Sequence, residues 1–545
     1  MGVLYFFKYI MDNPSYSSKI LNLNYNKINK NITIKNGKYH QPDVLLIDCN
    51  ALFHPCCREV YQPENPSLLR PKIESDDQKK LRAFITICKK IIELVDIAKP
   101  TKMVYLAVDG VAGLCKQSQQ RKRRFKTAID RSPEDWDSSV LSTGTVFMDE
   151  LCEFIKNYFT TNKLGIRVII NDSNIPGEGE HKLVKYVKDD KQYRSYCIYS
   201  PDADLIMLGL LINKQYVSIL RENIYDYIKA DYFVVSMFHF RQALFSEIKK
   251  IATTFITPEN INNSSVESVL SSPQNVTVDF VLFLFMIGND FIPNISCLNI
   301  TNNAIPTLIQ TYASTIIDHG YLYTNNFNKN AIHDLFSKLS ILEPKLLISK
   351  FNSKKKCIVP DHILNNSITV VDDIYTIDFN SYRSNYYLSK FNVTSQEDIM
   401  NICNEYLKGM SFVIKYYSDG IPTFDWFYKF HYSPLLSDLK TFTNSQTSLE
   451  YIFSYKPPLA PLESLSSIIH PSSFNLLPTN IANLLTKRSI IDSDFPREFK
   501  VDLEGKYQLH EAIVLLPTIE YKKIKLLLKK YDINRTYSSI VDIKA

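Results

Sequence analysis

Seven carboxylates stand where short apolar runs end or a tight turn begins. VLLI runs into Asp48, MVYLAV into Asp109, CIYSP into Asp202 and Asp204, and FLFMIGN into Asp290. Glu178 and Glu180 belong to IPGEGEH at 175–181, a turn that opens a helix over His181–Val187. One Asp after a strand ordinarily caps a helix or starts a turn. Seven that converge are another matter, because two carboxylates 4 Å apart repel by about 4 kcal/mol at an effective dielectric of 20. Such a set is tenable only if its members share protons or hold cations. Oxygen ligands without His or Cys partners suit Mg²⁺, or Mn²⁺, better than zinc. Two such ions ~4 Å apart activate a water and stabilise the leaving oxygen in phosphodiester hydrolysis. GEGE is not a dinucleotide fingerprint, and the chain has no Walker A lysine motif.

A cationic segment follows Asp109 by seven residues. Lys116–Lys126 (KQSQQRKRRFK) carries six positive residues and no acid. On a helix, Lys116, Gln120, Arg123 and Arg124 fall at i, i+4, i+7 and i+8 and share one face. Arginines on such a face can fork onto a phosphate. A solvated basic face is the plain alternative, and adjacency to the acids argues against it. A phosphate clamp beside a two-metal centre suits a nuclease that anchors an end and cuts nearby.

These groups need elements that bring them together. Val44–Ile47, Met103–Val108, Val168–Ile170 and Tyr196–Tyr199 read as buried strands, and Gln78–Ala98 and Met148–Tyr158 as helices between them. The alternation predicts an α/β fold, a mostly parallel sheet flanked by helices on both faces. Three of the acid groups would then emerge at the carboxyl edge, where open α/β sheets place their active sites. Asn260–Asn275 reads as a surface loop, and Phe351–Lys356 (FNSKKK) closes a helix and begins a linker. From about 378 the chain is dense in aromatic residues, among them Tyr382, Tyr386, Tyr387, Tyr416, Tyr417 and Trp426.

Composition narrows the classes further. The 545 residues are 45% hydrophobic, 12% aromatic and 22% charged, which excludes a disordered chain. A net charge of +6 is too small to name a partner. Ten cysteines without a Cys-x-x-Cys pair read as buried thiols of a reducing compartment. The N-terminus has no signal-peptide pattern, and Phe280–Ile287 is too short to span a bilayer. Only 14 residues are Gly, and Gly110, Gly113, Gly177, Gly179, Gly209 and Gly288 lie within a few residues of the candidate ligands.

These motifs resemble the 5′→3′ exoribonuclease (XRN) family. The matching segments are DCNALFH at 48–54, AVDGVA at 107–112 and K-x₃-QRKRRF at 116–125, then PGEGEHK at 176–182 and DADLIMLGL at 202–210. LRE at 220–222 and GNDFIP at 288–293 follow. A second block matches at YLKGMSFVIKYYSDGIP (406–422), HYSP (431–434) and HEAIVLLP (510–517). The resemblance implies a PIN/FEN-like nuclease core over 1–351, a linker over 352–377, and a mainly helical, aromatic-rich second region over 378–545 packed against it. It implies that Asp48, Asp109, Glu178, Glu180, Asp202, Asp204 and Asp290 are the catalytic metal ligands, holding two Mg²⁺ or Mn²⁺ ions. It makes Lys116, Gln120, Arg123 and Arg124 the pocket for a 5′-monophosphate, and His54 a stacking wall for the leading bases. Two departures stand out: the family's VAPRAK reads VAGLCK here, and His510 replaces a Trp that would form the second wall. The chain is identified as a compact member without the long C-terminal extension of the cytoplasmic ones. The implied activity is degradation of single-stranded, 5′-monophosphorylated RNA to nucleoside monophosphates, as in mRNA decay, by a soluble, intracellular and preferentially cytoplasmic monomer. Its partners would belong to decapping or RNA processing. A flap-type DNA nuclease and a non-catalytic RNA-binding scaffold are the competing readings.

Overall fold

The computed structural model describes residues 5–62, 74–132, 135–225, 228, 230–256, 270–353, 357–486, 492–529 and 540–545. Thirteen strands occur among them. The first eight are β1 (Ile20–Asn26), β2 (Asn31–Lys35), β3 (Val44–Asp48), β4 (Met103–Ala107), β5 (Arg167–Asn171), β6 (Ser195–Tyr199), β7 (Tyr216–Glu222) and β8 (Tyr232–Ser236). Two small hairpins follow, β9 (Ile368–Val371) with β10 (Ile374–Ile377) and β11 (Lys500–Asp502) with β12 (Ile513–Leu515), and then β13 (Val541–Ile543).

Nine strands form one sheet in the order β13-β5-β4-β3-β6-β7-β8-β1-β2. Its five central strands, β5 to β7, pair in parallel. Both edges are antiparallel: β8, β1 and β2 extend one side, and β13 pairs with β5 on the other. The four strands read from the sequence are β3, β4, β5 and β6. The edge strands β1, β2 and β13 are interrupted by polar, partly exposed positions, as in β2, Asn31–Lys35. β8 (YFVVS), by contrast, is a buried apolar run that the pattern reading misses.

Alternation along the central strands sends side chains into two cores. Val44 and Leu46 face the larger one, while Leu45 and Ile47 face the other. The helices Cys49–Tyr61, Asp76–Ala98 and Val146–Thr161 cover that second face. Asp76–Ala98 starts two residues before the periodic pattern because Ser75 and Gln78 cap it reciprocally. The larger core runs unbroken from Phe6 through the sheet and Pro273–Leu284 to Tyr416, Tyr417 and Leu449, so residues past 378 share it with the sheet. A third core gathers Leu465, Ile481, Val514 and Ile524 around Phe125.

Chain order explains where the site must be. β3, β4 and β5 advance in one direction, and β6 and β7 then continue from the other side of β3. The crevice outside the carboxyl ends of β3 and β6 is therefore a topological switch point, the usual ligand position in open α/β sheets. Asp48 ends β3, and Asp202 and Asp204 follow β6. The expected loop at Asn260–Asn275 falls largely on 257–269, outside the described residues, and Pro273 already begins a helix. Lys354–Lys356 also lie outside them, whereas 362–377 form a short helix and the β9–β10 hairpin. All ten cysteines are free thiols, nine of them buried. Among the described residues no helix is long and apolar enough to cross a membrane.

Candidate active site

Asp48, Asp109, Glu178, Glu180 and Asp202 line one cavity of about 760 Å³, together with Lys116, Gln120, Arg123, Arg124, His54 and His510. Asp204 is buried behind it, on the first turn of the helix Asp204–Leu210. Asp290 arrives differently from the strand-end acids. It follows the helix Pro273–Leu284 and a 3₁₀ turn, and reaches the cluster through Lys116.

Local geometry draws the sheet-edge acids together. The helix Gly179–Asp189 opens beside β3 and β4, and its first amide donates to Asp109 Oδ1 at 2.6 Å. A Cβ on Gly179 would stand 3.1 Å from Asp48 Oδ1 and 3.2 Å from Asp109 Oδ1, so no larger residue leaves the two carboxylates their places. Gly110 is more constrained still, since a Cβ there would meet the Ile175 carbonyl oxygen at 1.8 Å. Ser200 Oγ donates to Asp48 Oδ2 at 3.2 Å, and the Asp204 amide to Asp202 Oδ1 at 3.0 Å.

Lys116 sits inside the acid cluster rather than standing free on a phosphate-binding face. Its Nζ is 2.8 Å from Glu178 Oε2 and 2.8 Å from Asp290 Oδ2. Burial alone would depress the ammonium pKa, yet Asp290, Glu178 and Glu180 raise it well above the ordinary lysine value. The same contact holds Glu178 and Asp290 below the usual carboxylate range against their own burial. At Glu180 and Asp204, Lys116 offsets burial only in part. Burial, with Asp109 and Asp202 nearby, pushes Asp48 up to about 7. Burial and neighbouring acids likewise raise Glu180 and Asp204 well above the ordinary range.

One residue of this arrangement comes from far along the chain. The Tyr416 hydroxyl, on the helix Gln396–Asp419, donates to Glu178 Oε1 at 2.7 Å. Its ring stacks on His181 with centroids 3.8 Å apart and planes 3° from parallel. The sequence shows Tyr416 only as one of many aromatic residues, with nothing local to mark a polar role. Arg221 is a second addition: it lines the cavity, and its buried Nε and Nη1 have no hydrogen-bond partner among the described residues.

The basic segment is a helix over Leu114–Asp130, anchored by Phe125 in the third core. Arg124 gives Nη2 to Ser142 Oγ at 2.6 Å, while its buried Nη1 has no partner among the described residues. Burial and Arg123 push its pKa down to about 9. An anion between these groups would relieve both penalties. His54, on Cys49–Tyr61, is pushed down to about 4 by burial and by Arg123 and Arg124, so its ring is neutral at physiological pH. His510 is exposed on a short 3₁₀ turn, Leu509–Glu511, at the cavity rim.

As to metal, the donors are hard oxygens, and Asp204 Oδ1 is buried without a partner among the described residues. That is the donor set and the deficit a divalent cation satisfies. Among the described residues no three His, Cys, Asp or Glu side chains already stand in a metal-holding group. The cation now balancing part of the cluster is Lys116.

A family model described as the XRN 5'-3' exonuclease N-terminus matches residues 1–223, and one described as the Xrn1 helical domain matches 273–373 and 371–536. This chain belongs to the XRN 5'-3' exonuclease family. Within it, the chain is 27% identical to 5'-3' exoribonuclease 1 of Homo sapiens, over 96% of its own length and 34% of that protein's. It is 24% identical to the 5'-3' exoribonuclease 2 homolog of Drosophila melanogaster, over 98% and 71%. It is also 24% identical to 5'-3' exoribonuclease 1 of Saccharomyces cerevisiae, over 96% and 43%. The XRN chain thus spans about a third to under half of the human and yeast proteins. Among solved structures it is similar to the catalytic core of Rad2 in complex with DNA substrate, with a TM-score of 0.30, 12% identity and 64% and 80% of the two chains covered. For the T5 D15 protein co-crystallized with metal ions the corresponding values are 0.23, 12%, 56% and 98%.

Proposed function

We propose that this protein is a divalent-metal-dependent 5′→3′ exoribonuclease acting as a monomer on single-stranded RNA with a 5′-monophosphate. It releases nucleoside monophosphates. The supporting observation is a single cavity that unites five of the seven acids, the cationic helix face and both histidines. Residues 1–351 carry the chemistry in this reading, and 378–545 enclose it through Ser464, Ile468 and His510 at the cavity wall.

Asp48, Asp109, Glu178, Glu180, Asp202, Asp204 and Asp290 would hold two ions, Mg²⁺ or Mn²⁺. When bound, such ions polarise the scissile phosphate and a water and offset charge on the leaving oxygen. The remaining work belongs to the chain. Gln120, Arg123 and Arg124 grip the terminal phosphate; Arg124 supplies a preformed, unpaired N–H. In this reading a cap or triphosphate is excluded, as the family resemblance implies. Lys116 keeps Glu178 and Asp290 ionised, and Tyr416 fixes the rotamer of Glu178 from the second region. The neutral His54 ring offers a face on which any base stacks, which suits degradation without sequence preference. His510 forms the smaller opposite wall.

The test is incubation with Mg²⁺ and RNAs bearing a 5′-monophosphate or a 5′-hydroxyl, alongside matching and flapped DNAs. The expected result is rapid decay of the monophosphorylated RNA alone, abolished by Asp202→Ala. Equal decay of both RNAs would defeat the phosphate pocket, and preference for flapped DNA would favour a flap nuclease.

A further inference from the structure

The basic helix has a second cationic face that the proposed reaction leaves unused. Ser118, Lys122 and Lys126 fall at i, i+4 and i+8, and they line a separate cavity of about 240 Å³. Its other wall is aromatic: Phe427, Phe430 and His431 come from the segment after the helix Gln396–Asp419. Arg123 and His510 line both this cavity and the acid-lined one, so the two adjoin at those side chains.

The second cavity is short of negative charge. Burial and the neighbouring Arg121 push the Lys122 ammonium down to about 8, with no carboxylate offsetting them. His431 Nδ1 is buried without a hydrogen-bond partner among the described residues, as is Gln119 Oε1. Asp290 is the one acid among the lining residues, and Lys116 holds its Oδ2 at 2.8 Å. A wall of cations facing a wall of rings complements a ligand with a phosphate at one end and a base at the other.

The exonuclease reading supplies a reason for such a site. Each turnover leaves a nucleotide whose 5′-phosphate occupies Gln120, Arg123 and Arg124, and it must depart before the next 5′ end can dock. The incoming strand fills the entry side. Arg123 touches both cavities, so a phosphate can pass from it to Lys122, one residue along, without losing its counter-charge.

We propose that this second cavity binds nucleoside 5′-monophosphates and is the route by which the product leaves; the ligand class stands on its own, and the exit role rests on the exoribonuclease reading. The test is calorimetric titration of the full chain with AMP under chelated metal, for the unaltered protein, Lys122→Gln, His431→Gln and Arg124→Gln. The expected result is two classes of site. Lys122→Gln weakens one by about tenfold, the loss of one charge-assisted contact, and Arg124→Gln weakens the other. Adenosine and inorganic phosphate should each bind the Lys122 site more weakly than AMP. A single class of site, untouched by Lys122→Gln and His431→Gln, overturns the proposal, as does phosphate binding there as tightly as AMP. In parallel RNA assays, Lys122→Gln should lower kcat and KM together with kcat/KM unchanged, the signature of slowed product release; an unaltered kcat overturns the exit role. Because the titration contains no RNA, AMP held at Lys122 by a protein that degrades no RNA would sink the exoribonuclease reading alone.

Discussion

Asp279, in the helical layer beside the sheet, accepts hydrogen bonds from the Tyr312 hydroxyl and the Leu322 and Tyr323 amides, at 2.7 to 2.9 Å. Glu343 likewise accepts the Leu436 and Ser437 amides, pinning the start of the helix Leu436–Ser445. At the carboxyl edge of the sheet the acids stand in a group, share one lysine, and leave Asp204 Oδ1 with no partner among the described residues. Burial pushes Asp279, Glu343 and Asp48 alike up to about 7. The shift therefore does not separate a structural acid from a working one. The donor count separates Asp204 from Asp279 and Glu343. Both oxygens of Asp279 and of Glu343 accept backbone amides, whereas Asp204 Oδ1 has no partner among the described residues, although its neighbours Asp109 and Asp202 each accept one amide.

The contrast can be broken most sharply by removing one acid from each place. Asp204→Ala should lower RNA turnover by ~10³-fold or more while leaving the melting temperature close to unchanged. Asp279→Asn should do the reverse, lowering the melting temperature with kcat intact. Loss of activity without loss of stability in the second variant would erase the distinction.

Metal comes next in size. Saturation at about 100 times Kd should add ~2.7 kcal/mol to unfolding stability, and Asp204→Asn should reduce that gain. The pH dependence separates the two places further. Asp48 and Asp279 both have folded pKa values above their unfolded ones. Each therefore contributes stability that is fully present below about pH 4 and lost as pH rises through about 7. Mg²⁺ should flatten the Asp48 part of this decline, and Asp279→Asn the other part. Melting temperatures from pH 4 to 8, with and without Mg²⁺, read both.

Smaller effects fall on the substrate side. Arg124→Gln should reduce the preference for 5′-monophosphate over 5′-hydroxyl RNA by ~10- to 100-fold, the worth of one charge-assisted contact. His54→Ala should raise KM by roughly tenfold through lost stacking, and His510→Trp should lower it. Unchanged KM in both histidine variants would remove the base-stacking role.

Much of this molecule was legible in one dimension. Short β-branched runs marked β3, β4, β5 and β6, and parallel pairing then obliges the acids that end β3 and follow β4 and β6 to share an edge. The i, i+4 arithmetic likewise put Gln120, Arg123 and Arg124 on one face of a helix. Such features depend on neighbours a few residues apart, which is the range that periodicity encodes. What packing alone decided lies further apart in the chain. Lys116, still lining one cavity with Gln120, Arg123 and Arg124, bridges Glu178 and Asp290; Tyr416 reached Glu178 across 238 positions; Phe427 and His431 came to line one cavity with Lys122. Those outcomes follow from one shared hydrophobic core closing over the sheet, and no local spacing records which side chain that closure brings to which carboxylate.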